Sequence, residues 1–260
     1  MQHEKMRHAL KQAGFFKGKM NSLLLSNNTA FEIELIKQNF ASLPKDPYAE
    51  TTANRFRAYS NLILIPWERC LFWIPTENKN GQHLSSYWQG NYNDEYQGKI
   101  RHFTALNTAV KNSTILKNLI LHDFDLTFWK KYNCHFPLYI GVHFVKLLVS
   151  AKNPRAISSP NCMHRDGEAF TFAHLFARHN VTGGTNYIAG PEWANDTLSN
   201  IPCRHIKAKF ELHETFETYA VCDQLVSHYV SPVELENKDI PFGCREIILL
   251  DFSAMKQHLV

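Results

Sequence analysis

The second half of the sequence is a succession of short runs of branched and aromatic residues, and this succession constrains the fold more than any other feature. The runs end at turn-forming residues such as Gly183-Gly184, Gly190-Pro191 and Pro241-Phe242-Gly243. Many short strands with few helices between them are typical of a sandwich or a barrel. The predicted strands cover residues 55–65 and 70–74, and then 138–150, 169–178, 185–189, 206–212, 216–221, 226–231 and 245–252.

Three amphipathic segments predict helices at residues 2–13, 29–41 and 113–129. The third is the clearest, because Ser113 is a good N-cap and apolar residues follow at spacings of three and four. We therefore predict one domain over residues 1–260, mainly β with flanking helices (α+β). Its N-terminal helical cover is residues 1–42, and its β core is residues 43–252.

The composition of the chain limits the classes of binding partner that we expect for it. The net charge is +4, from 28 basic and 24 acidic residues, and no run of Lys or Arg forms the stripe of a nucleic-acid-binding protein. Six cysteines contain no C-x-x-C pair, which fits reduced thiols. Because the N-terminus is polar and no apolar stretch could span a membrane, we expect a soluble, cytoplasmic protein with a small-molecule partner. The oligomeric state is not predicted.

A candidate metal site begins with His164-Arg165-Asp166. His164 is the one histidine of 14 that is followed two positions later by a carboxylate, although about one such pair is expected by chance. Two neutral imidazoles and one carboxylate can occupy one face of an octahedral iron(II) ion and leave positions for a bidentate co-substrate and dioxygen. His228, within the predicted strand 226–231, is the best second histidine, and an ordinary half-buried histidine is the alternative.

Arg245 is a candidate anchor for the co-substrate. If that co-substrate is 2-oxoglutarate, it chelates the metal at one end and offers a free carboxylate at the other, which an arginine binds with two parallel hydrogen bonds. Arg245 opens a strand whose next residues are Ile247 to Leu250, so a charge there needs a buried partner. The alternative is an arginine at a strand end that points into water.

The order of these blocks resembles the 2-oxoglutarate/iron dioxygenase family that includes bacterial L-isoleucine 4-hydroxylases acting on free amino acids. The matching blocks are HRDG, the GG turn, H-x-V-x-P, Gly-x-Arg and IILLDF. Two upstream segments match as well: LPKDPYAETTANRFRAYS at 43–60 and YWQGNYNDEYQGKIRHF at 87–103. The resemblance covers about residues 40–252.

This resemblance implies a double-stranded β-helix, the jelly-roll or cupin-like core, with His164, Asp166 and His228 as iron ligands and Arg245 as co-substrate anchor. It implies hydroxylation of an unactivated carbon with dioxygen, with release of succinate and carbon dioxide from 2-oxoglutarate and with ascorbate as a helpful additive in vitro. Related halogenases have a small residue in place of the carboxylate, so Asp166 favours hydroxylation.

The substrate pocket is predicted less directly. An amino-acid substrate needs a cation for its carboxylate and acceptors for its ammonium group, and the residues chosen from matching blocks or position are Arg101, Gln89, Asn93, Tyr59 and His143. Relatives often carry Gln and Arg in the strand before the H-x-D loop, where this chain has His143 and Lys146. The substrate is therefore expected to differ.

Two further histidine-containing segments are weaker candidates. His122-Asp123-Phe124-Asp125 is interpreted as the solvated face of the helix at 113–129. His174 is either a core histidine or a pocket residue.

Two rival functions remain. One is a cupin-type metalloenzyme that does not use 2-oxoglutarate, and the other is a catalytically inactive β-barrel binding protein without a metal. The H-x-D spelling and Arg245 disfavour the cupin, which usually has H-x-H followed by Glu, and the complete triad of His164, Asp166 and His228 disfavours the binding protein.

Overall fold

The computed structural model describes residues 2–20, 29–88, 99–131 and 135–254. Its helices are α1 (Gln2–Ala13), α2 (Thr29–Ala41), α3 (Thr108–Lys111) and α4 (Thr114–Leu126). Its strands are β1 (Phe15–Lys19), β2 (Arg55–Ile65), β3 (Cys70–Trp73), β4 (Glu77–Lys79), β5 (Gln82–Tyr87), β6 (Arg101–Thr104), β7 (Leu138–Ser150), β8 (Arg155–Ala156), β9 (Phe170–His179), β10 (Val181–Gly183), β11 (Asn186–Ala189), β12 (Ile206–Phe210), β13 (Glu217–Cys222), β14 (Ser227–Val230), β15 (Val233–Leu235) and β16 (Phe242–Ala254).

A seven-stranded antiparallel sheet forms the main wall, in the order β1-β13-β9-β16-β7-β2-β3. Because side chains alternate along a strand, each long strand has two faces of different character. Even-numbered residues of β7 and β16, such as Phe144 and Ile248, point into a large apolar core. Odd-numbered residues of the same strands, such as His143 and Arg245, line a cavity on the other face.

The helices cover the apolar face. Leu10 of α1, Phe40 of α2 and Leu119 of α4 are fully buried in the core that they share with the sheet. Helix α4 begins where the sequence predicts, since the Ser113 hydroxyl accepts a hydrogen bond from the amide of Leu116 at 3.2 Å. The helices do not cover the cavity face of the large sheet, which is covered by the second wall.

The second wall consists of short strands. One small sheet has the order β12-β11-β14 and another the order β10-β15-β8. The wall faces the large sheet, and a smaller apolar cluster that includes Leu175, Ile188 and Ile247 lies between the two. Two facing antiparallel walls of this kind confirm the expected jelly-roll core.

The structure corrects three expectations about elements. The cover at 1–42 is not entirely helical, because Phe15–Lys19 forms β1 and pairs with β13 at one edge of the large sheet. The helix expected at 113–129 ends at Leu126. The short strands β4, β5, β6, β8, β10 and β15 were not predicted, since segments of two to six residues give too little alternation to recognise.

In the described part of the chain, no helix is both long enough and apolar enough to cross a membrane.

Candidate active site

The cavity between the two walls has a volume of about 860 Å³, including its open mouth. Polar groups converge on it from three directions: the triad predicted to bind a metal, Arg245 on β16, and a group of basic residues at β2, β6 and β7. Apolar residues lie between them, namely Val145, Leu147, Ala173, Val230, Ile247 and Leu249.

The triad histidines are joined through their backbones. His164 forms an isolated antiparallel bridge with His228 of β14, in which each amide donates to the other residue's carbonyl at 2.9 Å. The two imidazole rings lie 4.2 Å apart, centroid to centroid. The bridge therefore aims two histidines that are distant in sequence at one point of the cavity.

The donor atoms of the three side chains lie close enough together that they could hold a metal ion. Asp166 Oδ1 lies 3.6 Å from His164 Nε2, and Asp166 Oδ2 lies 3.4 Å from His228 Nε2. All three donor atoms lie within 4.8 Å of one another. Cis ligands of an octahedral ion with bonds near 2.1 Å are about 3 Å apart, so a small inward shift would complete the site.

Protonation of the histidines also suits a metal. The His164 Nδ1 lies 2.9 Å from the Cys162 carbonyl and donates to it, which leaves the Nε2 lone pair facing Asp166. Burial, together with the neighbouring His164, lowers the pKa of His228 to about 4. A neutral imidazole is therefore present at physiological pH.

Two residues that sequence reasoning missed hold the H-x-D loop in place. The Thr171 hydroxyl donates to Asp166 Oδ2 at 2.9 Å, and Asp223 Oδ2 accepts the Gly167 amide at 2.6 Å. Gly167 has φ +83°, a left-handed conformation that glycine adopts without strain. Thr171 could have been found from the alternation of β9, whereas Asp223 lies too far along the chain for any local pattern to associate it with the loop.

Arg245 lies on the same cavity and is 4% exposed. Its Nε has no hydrogen-bond partner among the described residues. Burial lowers its pKa to about 10, so the guanidinium stays charged at neutral pH. Gly184, at φ +65°, makes room for it, because a Cβ there would lie 2.9 Å from Arg245 Cδ.

The basic group lies on adjacent strands. Arg57 Nη2 is 2.6 Å from His143 Nδ1, and His143 Nε2 is 2.6 Å from Asp251 Oδ2. The guanidinium of Arg101 stacks over the Tyr87 ring at 4.7 Å. Arg101 and His143 line the cavity, as do Arg57 and Asp251, which were missed as individual candidates although both fall within blocks that carry the resemblance.

The remaining substrate candidates have different positions. Tyr59 is fully buried beside His143, its register partner on the adjacent strand, with ring centroids 4.4 Å apart, and it is not among the residues that line the cavity. This position argues against direct substrate contact by Tyr59. Gln89 and Asn93 lie outside the described residues. Lys146 is on the opposite face of β7, where its Nζ donates to the Phe40 carbonyl at the end of α2.

The interpretation of His122-Asp123-Phe124-Asp125 as a solvated helix face is wrong for Asp123. Asp123 is completely buried, and its Oδ2 lies 2.7 Å from His174 Nε2. His174 Nδ1 lies 2.7 Å from the Thr218 hydroxyl, so His174 is a core histidine with both nitrogens partnered. The interpretation failed because Asp123 faces a polar group of the sheet, which helical periodicity does not reveal.

Comparison with known proteins agrees with this architecture. A family model described as 2OG-Fe dioxygenase matches residues 37–251. The L-isoleucine-4-hydroxylase of Bacillus thuringiensis is 28% identical over 254 residues, covering 96% of this chain and 95% of that protein. The 3(1)-hydroxy-L-isoleucine 4-dioxygenase of Pantoea ananatis is 27% identical over 254 residues, covering 87% and 96%.

Solved structures support the fold independently. The crystal structure of IDO from Bacillus thuringiensis superposes with a TM-score of 0.72 at 22% identity, covering 98% of this chain and 96% of that one. A bsmA homolog from Methylobium petroleophilum gives a TM-score of 0.73 at 16% identity, covering 96% and 92%. Because the family model spans most of the chain and both walls of the cavity, the chain belongs to the 2OG-Fe dioxygenase family.

Proposed function

We propose that this protein hydroxylates an unactivated carbon of a free L-amino acid, with iron(II) bound by His164, Asp166 and His228 and with 2-oxoglutarate anchored by Arg245. The family assigns the chain an iron(II)- and 2-oxoglutarate-dependent dioxygenase activity, which removes the cupin and inactive-barrel alternatives. The observation that carries the finer proposal is that the triad and a buried arginine, whose Nε has no hydrogen-bond partner in the described part of the chain, lie on one cavity.

The donor set fits the metal. Two neutral imidazoles and one carboxylate leave half of an octahedral coordination shell for exchangeable ligands. When bound, iron(II) and 2-oxoglutarate supply the oxidation, in which dioxygen converts 2-oxoglutarate to succinate and carbon dioxide and one oxygen atom enters the substrate. Neighbouring residues orient the side chains proposed to bind the metal. The Cys162 carbonyl orients His164, and the Thr171 hydroxyl orients Asp166.

Arg245 is the proposed partner of the 2-oxoglutarate carboxylate remote from the metal. It projects from β16 into the cavity, and its buried charge is incompletely compensated by the described residues. A planar guanidinium matches a carboxylate with two hydrogen bonds, and both charges are then compensated away from water. Tyr219, on β13 and separated from β16 by β9, lines the same cavity.

The substrate is proposed to be a free L-amino acid. Both curated relatives act, by name, on isoleucine or on a hydroxylated isoleucine. The cavity joins a basic end, at Arg57 and Arg101, to an aliphatic wall that includes Val145 and Ile247. Such a cavity complements a molecule with a carboxylate at one end and an apolar side chain at the other. Small molecules and dioxygen are the proposed partners, without nucleic acid, and the proposed location is the cytoplasm.

The test is succinate formation from 2-oxoglutarate with iron(II) and ascorbate over a panel of free amino acids. We expect at least one amino acid to stimulate turnover, and His164→Ala and Asp166→Ala to abolish both turnover and tight iron(II) binding. His213→Ala, which removes an exposed histidine, serves as the matched control and should behave as the wild type. The proposal fails if no amino acid stimulates turnover, or if iron(II) binding survives both triad substitutions.

A further inference from the structure

Arg57 is a buried cation that makes no direct ion pair with a carboxylate among the described residues, although its charge acts on the nearby Asp46 and lowers the pKa of that carboxyl. It is 9% exposed, it lines the cavity, and its Nε has no hydrogen-bond partner among the described residues. The hydrogen bond of its guanidinium goes to His143 Nδ1, a neutral acceptor that cannot cancel the charge. Arg55, two residues earlier on the same strand, differs in this respect, because its Nε contacts the carboxylate of Asp46 at 2.7 Å. A buried charge left in this way calls for an anionic ligand.

The direction of the hydrogen bonds around His143 follows from chemistry alone. A guanidinium only donates, so His143 Nδ1 must accept, and the ring proton must lie on Nε2. Nε2 therefore donates to Asp251 Oδ2, 2.6 Å away. The three side chains form a directional chain from Arg57 through His143 to Asp251, across the adjacent strands β2, β7 and β16.

Packing fixes this chain of side chains in place. The Tyr59 ring lies 4.4 Å from the His143 ring, and the Phe103 ring lies 4.5 Å from the Arg57 guanidinium carbon. Gly141 leaves the necessary space, because a Cβ there would lie 3.1 Å from Asp251 Oδ2 and 3.3 Å from His143 Nε2. The guanidinium is thus oriented before any ligand arrives, which reduces the entropy lost on binding.

Arg57 and Arg245 are placed for different carboxylates. Arg57 is opposite Val145 of β7, and Arg245 is opposite Leu147 on the other side of β7. Two strand spacings separate them, roughly 10 Å. Arg101, stacked on Tyr87, lies at the Arg57 end of the cavity.

We propose that Arg57 is a specificity-determining residue that binds the free carboxylate of the amino-acid substrate, and that His143 and Asp251 are positioning residues that hold its guanidinium. This inference rests on the proposed function and extends it, because it requires an ionised carboxylate on the substrate. A residue inside a peptide chain, or an amino-acid amide, lacks that group and is excluded.

The first measurement needs no variant. Succinate formation by the wild-type protein is compared for L-isoleucine, or for the amino acid with the highest turnover in the panel, and for its C-terminal amide. We expect the amide to stimulate turnover at least tenfold less at equal concentration, since a charge-assisted contact to the carboxylate is lost. An amide as effective as the acid overturns the inference.

The second measurement uses variants of the chain of side chains. Arg57→Gln should raise the KM for the amino acid on the order of 10- to 100-fold and leave the KM for 2-oxoglutarate within about threefold. Arg57→Lys, which keeps the charge and loses the fork, should give a smaller rise. Arg204→Gln, at an exposed position outside the cavity, is the control and should leave both constants within about threefold.

Two substitutions of His143 distinguish a positioning role of this residue from a merely structural one. Glutamine offers an acceptor and a donor, so His143→Gln should keep the KM for the amino acid near the wild-type value, whereas His143→Phe keeps the ring and should raise it. Anaerobic binding of 2-oxoglutarate to the iron(II) protein, followed by visible absorbance, should be retained in every folded variant.

The outcomes distinguish the two proposals. A wild-type protein that no amino acid stimulates contradicts the proposed function and this inference together. Suppose instead that an amino acid stimulates the wild-type protein. If Arg57→Gln then leaves the KM for the amino acid unchanged, or raises the KM for 2-oxoglutarate equally, only the role of Arg57 is contradicted. Equal effects of His143→Gln and His143→Phe contradict the positioning role of His143.

Discussion

Arg245 and Arg57 are both buried arginines in which Nε has no hydrogen-bond partner among the described residues. An uncompensated buried charge costs several kcal/mol of folding free energy, so a fold retains it where a ligand completes the interaction. Arg55 and Arg178 lie nearby but contact Asp46 and Glu211. A direct ion pair with a protein carboxylate thus distinguishes Arg55 and Arg178 from the two arginines that we propose to bind ligands.

Substitution of Arg245 should act on 2-oxoglutarate. Arg245→Gln removes the charge and the fork, and we expect the KM for 2-oxoglutarate to rise on the order of 10- to 100-fold. Arg245→Lys should give a smaller rise because the charge remains. The measurement is succinate formation against 2-oxoglutarate concentration at saturating amino acid, with the exposed Arg204→Gln as control. An unchanged KM in Arg245→Gln would contradict the anchor role.

Helix α4 is fixed to the large sheet by a polar contact inside an apolar core. Asp123 of α4 contacts His174 of β9, and His174 contacts Thr218 of β13, with all three side chains buried. The next acidic residue on the helix, Asp125, forms its ion pair with Arg69 at the surface. We therefore expect Asp123 and Asp125, two residues apart on one helix, to contribute different amounts to the free energy of unfolding.

Loss of the buried contact should destabilise the protein without affecting the metal site. We expect Asp123→Ala to lower the free energy of unfolding by about 3 kcal/mol, because it leaves His174 buried without its partner. Asp125→Ala, which removes only an exposed ion pair, should cost at most about 1 kcal/mol. Urea unfolding followed by circular dichroism gives both values. Equal costs for the two variants would show that the buried contact has no special weight.

The elements show which parts of the fold sequence patterns can reveal. Helices α1 and α2 and the long strands β2 and β7 were predicted with their observed bounds, since each has enough residues to display its periodicity. Strand β1 was missed, because its five residues lie between two helices and are held in place by pairing with β13, some 200 residues later. Pairing between strands that are distant in the sequence produces little recognisable pattern in the residues of either strand.

The candidate site shows the same division at the level of side chains. The H-x-D spelling and the apolar surroundings of Arg245 are local, so they could be predicted. The roles of Asp223 and Thr171, and the chain from Arg57 to Asp251, depend on strand order and register. Tyr59 was chosen from a matching block, but it packs beside His143 without lining the cavity, and sequence similarity does not distinguish these positions.

At the scale of the whole molecule, acid stability depends on buried ion pairs such as Arg55 with Asp46. Burial raises the pKa of Asp46, but the charges of Arg57 and Arg55 outweigh it and hold the pKa below 3.8. A carboxyl with a depressed folded-state pKa stabilises the protein above its unfolded value, and the stabilisation is lost as pH falls through the folded value.

Asp46→Asn should therefore reduce stability at neutral pH and flatten its acid dependence. We expect a loss of about 3 kcal/mol at pH 7, and a difference from the wild type that shrinks once the pH falls below 3.8. Urea unfolding from pH 7 down to the lowest pH at which both proteins remain folded measures the difference. A difference that stays constant over that range would place the effect of Asp46 elsewhere than in its charge.

The opposite faces of β2, β7 and β16 divide the functions of the chain between odd and even positions. Point substitutions at odd positions can alter the ligand while the helices keep their packing, and substitutions at even positions alter stability while the ligand contacts persist. A single-residue insertion would exchange the two sets at once. Variation in substrate among proteins with this sheet should accordingly arise by replacement within these strands, and changes of length should be confined to the loops that join them.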